Sequence, residues 1–182
     1  MKNRAACALL VWATAVFHAE TAQAQGADTA APLAGLQRAG EGTLRVWGLE
    51  IYRARLWVSP GFAPADYAAL PLALELSYAR SFSAAAIAER SIAEMRRAGP
   101  FSAAQATRWQ QALQAALPDV QPGDRITGLY QPGRGATFRM RGRTVGTVAD
   151  PEFARLFFGI WLAPQTSEPG LRAELLGTEA PP

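Results

Sequence analysis

Several short segments of the chain alternate apolar and polar residues, a pattern typical of strands that bury one face. Within residues 50–58, Tyr52, Leu56 and Val58 fall on one face and Arg53 falls on the other. Glycine- and proline-bearing turns separate this segment from others with the same alternation. The pattern predicts strands at residues 43–47, 50–58, 71–78, 124–130, 136–140 and 143–148.

Other segments repeat apolar residues at the spacing of an amphipathic helix. Ser102 and Gln105 form a capping-box pair, and Asp150 before Pro151 is a typical helix start. Helices are predicted at residues 83–98 and 102–117, from Asp150, and from Ser167 to Gly177. Strands joined by short turns, together with these helices, predict an α+β fold in which helices cover an antiparallel sheet.

The first 24 residues have the composition of a secretory signal peptide. Lys2 and Arg4 precede 13 apolar or small residues, too few to span a bilayer, and a cleavage site follows at residues 22–24. We expect cleavage after Ala24 and a periplasmic or secreted protein with no stable membrane span. Residues 25–32 are expected to form a flexible linker, residues 33–177 one folded domain, and residues 178–182 a frayed tail.

Cleavage at that site would remove Cys7, His18 and Lys2, the only residues of these three types in the chain. The remaining 158 residues could not form a Cys or His catalytic pair, a zinc site of His and Cys, a Schiff-base lysine or a P-loop. We therefore expect neither a metal nor a cofactor. The formal net charge would fall from +3 to +2, which is too small to indicate nucleic-acid binding.

Two stretches of the sequence resemble the chalcone isomerase-like family. Residues 40–58, GEGTLRVWGLEIYRARLWV, match its opening strands, in which a Gly-x-Gly turn, a strand Arg and a following Tyr strand recur. Residues 150–164, DPEFARLFFGIWLAP, match a later helix, and the order of all the pieces resembles the exported bacterial branch. The resemblance implies an open-faced β-sandwich, with a ligand cleft between an antiparallel sheet and a helical layer.

That family includes isomerases, in which a phenolate attacks an enone, and proteins that bind fatty acids without catalysis. Both use the strand Arg, whose guanidinium stabilises a phenolate or carboxylate in a dry cleft. The resemblance places this Arg at Arg45 and its partner at Tyr52, where isomerases have Thr and fatty-acid binders have Tyr. The Tyr and Asn of the isomerase helical layer map near Phe101 and to Thr107 or Arg108, so neither residue type is present.

These departures favour binding of a small apolar anion, such as a fatty acid, by Arg45 and Tyr52. An isomerase acting on a chalcone-like phenolic enone, with Arg45 as its catalytic residue, is the alternative. An envelope scaffold without a ligand is a second one. The oligomeric state stays open. So do two structural alternatives, in which Arg45 is a solvated strand residue and Tyr52 is a core residue. Candidates to line the cleft are Phe101, Thr107, Arg108, Phe153 and Phe157.

Overall fold

The computed structural model describes residues 34–178, so the predicted signal peptide, the linker and most of the tail lie outside the described residues. The order of strands and helices agrees with the prediction. The elements are β1 (Gln37–Val46), β2 (Leu49–Val58), β3 (Leu72–Tyr78), α1 (Ala84–Ala98), α2 (Ala103–Ala116), β4 (Arg125–Gln131), β5 (Gly135–Met140), β6 (Arg143–Val148), α3 (Pro151–Leu162) and α4 (Pro169–Leu176). A short 3₁₀ turn, Pro64–Asp66, lies between β2 and β3.

The strands form one six-stranded antiparallel sheet in the order β1 to β6, so each strand pairs with its neighbours along the chain. Alternation along the strands separates the two faces of the sheet. On β2, Ala54 and Leu56 are fully buried in the core that the sheet shares with the helices. Arg55 lies on the opposite face, where it forms ion pairs with Glu41 of β1 and the buried Glu75 of β3. The predicted α+β fold is therefore confirmed.

Strand β1 begins at Gln37, well before the predicted start at residue 43. The extra segment contains Gly40 and Gly42, and α4 packs directly against both. A Cβ atom on Gly40 would lie 2.2 Å from the backbone oxygen of Glu174, and one on Gly42 would lie 2.6 Å from a methyl group of Leu171. Because this close approach requires glycine, the segment lacks the apolar alternation that identifies strands in a sequence.

The helix caps that the sequence predicts are present in the structure. Asp150 Oδ1 accepts hydrogen bonds of 3.0 Å from the backbone N–H groups of Glu152 and Phe153, which fixes the start of α3. Ser102 and Gln105 form the predicted capping box at the start of α2. Gly177 ends α4 in a left-handed conformation, with φ of +64°, as is common for a helix C-terminus.

Candidate ligand cavity

An apolar cavity of about 440 Å³ lies between the sheet and the helices, bordered by β1, β2, α1 and the segment joining α3 to α4. Its volume falls within the range of small-molecule sites in proteins, about 300–1,000 Å³. Most of its wall is aliphatic or aromatic, and the larger apolar residues that line it are Leu44, Val46, Ile51, Leu74, Leu76, Phe82, Ile87, Leu117, Ile126, Phe138, Phe157, Phe158, Ile160, Trp161 and Leu171. Such a wall suits a hydrocarbon ligand.

Two tyrosines add hydroxyl groups to this apolar wall. Tyr52 of β2 pairs in register with Tyr78 of β3, and their ring centroids lie 6.1 Å apart in an edge-to-face arrangement. Trp161 Nε1 donates a hydrogen bond of 3.0 Å to the Tyr52 hydroxyl oxygen. Within residues 34–178, neither tyrosine O–H has an acceptor at hydrogen-bond distance. The cavity wall therefore offers two phenol donors to an acceptor oxygen of a ligand.

Burial keeps both phenols protonated. It raises the pKa of Tyr52 to about 12, an effect that the hydrogen bond from Trp161 partly opposes. Burial also raises the pKa of Tyr78, and the neighbouring Tyr52 raises it further. Since both groups stay neutral near pH 7, the phenols themselves add no negative charge and can donate hydrogen bonds to a carboxylate.

Polar side chains of α1 and of the α3–α4 segment form one rim of the cavity. Glu94 joins the two, because its carboxylate lies 2.7 Å from an Arg90 guanidinium nitrogen and accepts a hydrogen bond of 2.8 Å from Ser167. Arg97 approaches the same carboxylate at 3.3 Å. Of the cavity-lining residues, Arg90 carries the positive charge, although most of its side chain is in solvent. The rim combines this ion pair with hydroxyl groups and a second carboxylate, Glu168, which also lines the cavity.

The structure does not bring Arg45 together with Tyr52. Leu44 and Val46 both line the cavity, whereas Arg45, which lies between them on β1, does not. Its side chain is 57% exposed and its guanidinium lies 3.6 Å from the Glu50 carboxylate. The predicted pairing fails for two reasons: side chains alternate along a strand, and the β1–β2 register skips Ile51, so Leu44 rather than Arg45 faces Tyr52.

Of the residues predicted to line a cleft, Phe157 lines the cavity, and Phe153 does not. Phe153 is fully buried one helical turn before Phe157, and the two rings stack at 5.4 Å. Because the cavity reaches only the second half of α3, it includes Phe157 and Trp161 but leaves Phe153 in the solid core. The 3.6-residue spacing alone could not locate this boundary.

The other three predicted lining residues also lie elsewhere, at or near α2. Phe101 packs on Trp109 at 5.0 Å and lies under the guanidinium of Arg96. Thr107 donates a hydrogen bond to the Ala103 carbonyl oxygen on the exposed side of α2, where Arg108 is also exposed. Helix α2 packs near β6, away from the cavity, and this explains why the prediction for Phe101, Thr107 and Arg108 is wrong.

Sequence reasoning missed Tyr78 and Arg90 as lining residues. Tyr78 ends the alternating run of β3, so the pairing of β3 with β2 could have indicated that it lies beside Tyr52. Arg90 has the pattern of a solvent-facing helix residue, and only the packing of α1 beside the cavity places it at the rim.

The described residues show neither a metal centre nor a membrane span. Between residues 34 and 178, no group of three or more His, Cys, Asp or Glu side chains could hold a metal ion. In the same part of the chain, no helix is both long enough and apolar enough to cross a bilayer.

Comparison with known families identifies the fold that carries this cavity. The sequence profile described as chalcone isomerase-like matches residues 18–177. The chain belongs to the chalcone isomerase-like family. An uncharacterized protein of Haemophilus influenzae is 35% identical over 69 residues, which are 38% of this chain and 34% of that protein. The chain therefore aligns with about a third of the length of that relative.

A solved structure shares the chalcone isomerase-like architecture. The crystal structure of a fatty-acid binding protein of Arabidopsis thaliana superposes with a TM-score of 0.61 and 12% sequence identity. The match covers 78% of this chain and 87% of the plant protein. At this identity the likeness establishes the fold and leaves the ligand of this protein to be argued from its own cavity.

Proposed function

We propose that this chalcone isomerase-like protein binds a fatty acid or a similar apolar carboxylate in the cavity, without catalysis. The observation that carries the proposal is the pairing of an apolar wall with the hydroxyl groups of Tyr52 and Tyr78, whose protons have no acceptor within residues 34–178. A hydrocarbon chain would fill the apolar volume, and a carboxylate oxygen would accept the two phenol hydrogen bonds.

The apolar wall would supply most of the affinity. Burying a chain of about twelve methylenes contributes roughly 10 kcal/mol before the cost of ordering the ligand is subtracted. The two phenols would then set the direction in which the chain enters, because a charge-assisted hydrogen bond is about twice as strong as a neutral one. In this proposal Tyr52 would have the ligand-binding role that the sequence predicts for it, and Tyr78 would replace Arg45 as its partner.

The proposal places this binding outside the cytoplasm, because the first 24 residues have the pattern of a cleaved signal peptide. Mass measurement of the purified protein tests this part directly. A mature chain that begins at Gln25 supports export, and a full-length cytoplasmic chain contradicts it.

The isomerase alternative gains no support from the cavity. The positions that correspond to the isomerase helical-layer residues, Phe101, Thr107 and Arg108, lie outside it. The scaffold alternative assumed a cleft filled by side chains, whereas the cavity has room for a small ligand.

Native mass spectrometry of the protein purified from the periplasm tests the binding proposal. We expect a bound lipid-sized mass that dodecanoate can replace, and dodecanol to replace it less well because it lacks the carboxylate. Tyr78→Phe removes one donor without breaking a protein hydrogen bond and should lower dodecanoate affinity about fivefold to tenfold. Tyr130→Phe is the matched control, since the Tyr130 hydroxyl donates to the Ala68 carbonyl outside the cavity.

Two results would contradict the proposal. One is the absence of any complex when dodecanoate is in excess. The other is equal dodecanoate affinity in the Tyr78→Phe variant and the Tyr130→Phe control.

A further inference from the structure

The turn between β1 and β2 exposes a large aromatic residue. Trp47 and Gly48 form a two-residue turn with positive φ angles of 50° and 79°, the geometry of a tight hairpin. The Trp47 side chain is 96% exposed. Beside it, Val46 is 39% and Leu49 is 50% exposed. Across residues 34–178, the only other exposed large apolar side chain is Val145 on β6, at 38%. We call Val46, Trp47 and Leu49 the hairpin tip.

Neither turn geometry nor packing accounts for tryptophan at this position. A positive φ at the first turn residue favours Asn, Asp or Gly, and a bulky side chain is strained there. The turn between β5 and β6 has the same geometry, with Arg141 and Gly142 at φ of 49° and 74°, and it places a charged residue in solvent. A polar residue therefore fits this type of turn in the same sheet. Because tryptophan is strained there and gains no packing, we look for a functional reason for Trp47.

Apolar surface continues from the hairpin tip into the cavity. Val46 belongs to both, because it is part of the exposed tip and also lines the cavity. Leu44 and Ile51, the next apolar residues on the two strands, line the cavity as well. A hydrocarbon chain that leaves the cavity along these residues would contact their apolar side chains.

Cations outnumber carboxylates around the tip. Arg45 and Arg53 lie on the uncovered face of the sheet, and Arg80 donates a hydrogen bond from Nε to the Glu50 carbonyl oxygen. The Glu50 carboxylate forms an exposed pair with Arg45. Across the cavity, the Glu94 carboxylate is paired with Arg90 and Arg97, and Glu168 adds one further carboxylate, so cations still outnumber carboxylates in this region. The tip therefore presents an apolar point surrounded by a net positive charge, which complements an anionic surface.

We propose that the hairpin tip docks on an anionic lipid bilayer, with Trp47 inserted at the level of the headgroups. Tryptophan is enriched at this depth because its ring is apolar and its N–H can still be hydrated. The biological role of this docking rests on the proposed function, since docking would bring the cavity to a bilayer that contains fatty acids.

The size of the tip favours a bilayer over a protein partner. A buried aromatic side chain covers roughly 150–250 Å². Val46 and Leu49 are about half exposed, so the tip falls well short of the about 800 Å² per partner that a stable protein interface buries. A membrane requires no complementary protein surface, and its attraction for a protein grows with both buried apolar area and positive charge, which the tip combines.

Flotation of the periplasmically purified protein with vesicles tests the proposal. The vesicles contain phosphatidylcholine with or without phosphatidylglycerol, and we expect binding to the anionic vesicles that salt weakens. Trp47→Asn fits the turn better than tryptophan, so it should fold at least as stably while lowering vesicle binding about tenfold or more. Val145→Asn, which removes the exposed apolar residue of β6, is the matched control and should bind as the unmodified protein does.

Equal flotation of the Trp47→Asn and Val145→Asn variants would overturn the proposal, as would failure of the unmodified protein to bind anionic vesicles. Sedimentation without vesicles adds a further check, because a dimer that Trp47→Asn dissociates would mean that a second copy covers the tip. Dodecanoate binding without vesicles separates this proposal from the proposed function. Trp47→Asn should leave dodecanoate affinity unchanged. Tyr78→Phe should lower dodecanoate affinity, and this variant should still float with anionic vesicles.

Discussion

The layer between the sheet and the helices has two ends that differ in how their volume is used. At one end, which we call the filled end, Phe101, Trp109 and Phe153 pack ring against ring at 5.0 and 6.0 Å. At the other, the open end, Tyr52 and Tyr78 face the 440 Å³ cavity. Both ends are apolar, so hydrophobicity alone does not distinguish a structural core from a ligand site.

The two ends differ more clearly in whether their buried hydrogen-bond donors have protein acceptors. At the filled end, the Trp109 indole N–H donates to Asp150 Oδ2 at 2.7 Å, so the buried donor has a protein acceptor. At the open end, the phenol protons of Tyr52 and Tyr78 have none within the described residues. Buried donors are normally paired, and the carboxylate that we propose would supply the acceptor that these two phenols lack. The following predictions test this contrast.

The largest expected effect is on stability at the filled end. Phe153→Ala should lower the free energy of unfolding by about 3–5 kcal/mol, because the fully buried ring leaves a void among tightly packed neighbours. Phe82→Ala is the matched change at the open end and should cost clearly less, since its ring already borders the cavity. Urea unfolding measures both. Equal losses would contradict the division into filled and open ends.

Stability should fall at high pH through the buried phenols. The pKa of Tyr52 is raised from 10.0 to about 12 in the folded state, so the unfolded chain loses its proton first. The contribution is intact below about pH 10 and is lost as the pH rises towards 12, by on the order of 2–3 kcal/mol. Urea unfolding at several pH values should show a smaller decline in Tyr52→Phe, and an unchanged decline would contradict this origin.

Loss of each phenol hydroxyl should affect stability differently. Tyr52→Phe leaves the Trp161 indole N–H without its acceptor and should cost about 1–3 kcal/mol. Tyr78→Phe breaks no hydrogen bond within the described residues and should change the free energy of unfolding by less than about 0.5 kcal/mol. Thermal unfolding at neutral pH compares the two variants. A loss as large in Tyr78→Phe would mean that its hydroxyl has a structural role.

A small effect on stability is also expected from adding volume at the open end. Ile87→Phe places a larger side chain beside the cavity and should change the free energy of unfolding by less than about 1 kcal/mol while lowering dodecanoate affinity. Leu113→Phe is the control at the fully buried α2 position and should cost about 1–3 kcal/mol through overpacking. Unchanged dodecanoate affinity in Ile87→Phe would show that the ligand lies elsewhere.

Sequence patterns predicted the elements where local chemistry determines them. The alternation of β2 and the caps at Ser102 and Asp150 each depend on residues within one segment. The start of β1 was missed because Gly40 and Gly42 are required by α4, which comes over a hundred residues later. Contacts of this kind leave no periodic signal in the sequence.

The candidate site was predicted only in part, for a related reason. Tyr52 lines the cavity, but the step past Ile51 in the β1–β2 register leaves Arg45 outside it. Phe101 lies at the filled end because of the way α2 packs near β6. Register shifts and helix packing decide which residues meet, and neither can be read from the spacing of residues along the chain.

Carbon-13 NMR of dodecanoate labelled at the carboxyl carbon tests the central claim most directly, because it reports on the atom that the phenols would hold. With the unmodified protein, we expect a bound carboxylate resonance distinct from that of free dodecanoate and shifted again in Tyr78→Phe, with Tyr130→Phe unchanged. A single resonance at the free position, or a bound resonance that is identical in Tyr78→Phe, would contradict a carboxylate held by Tyr52 and Tyr78 at the open end.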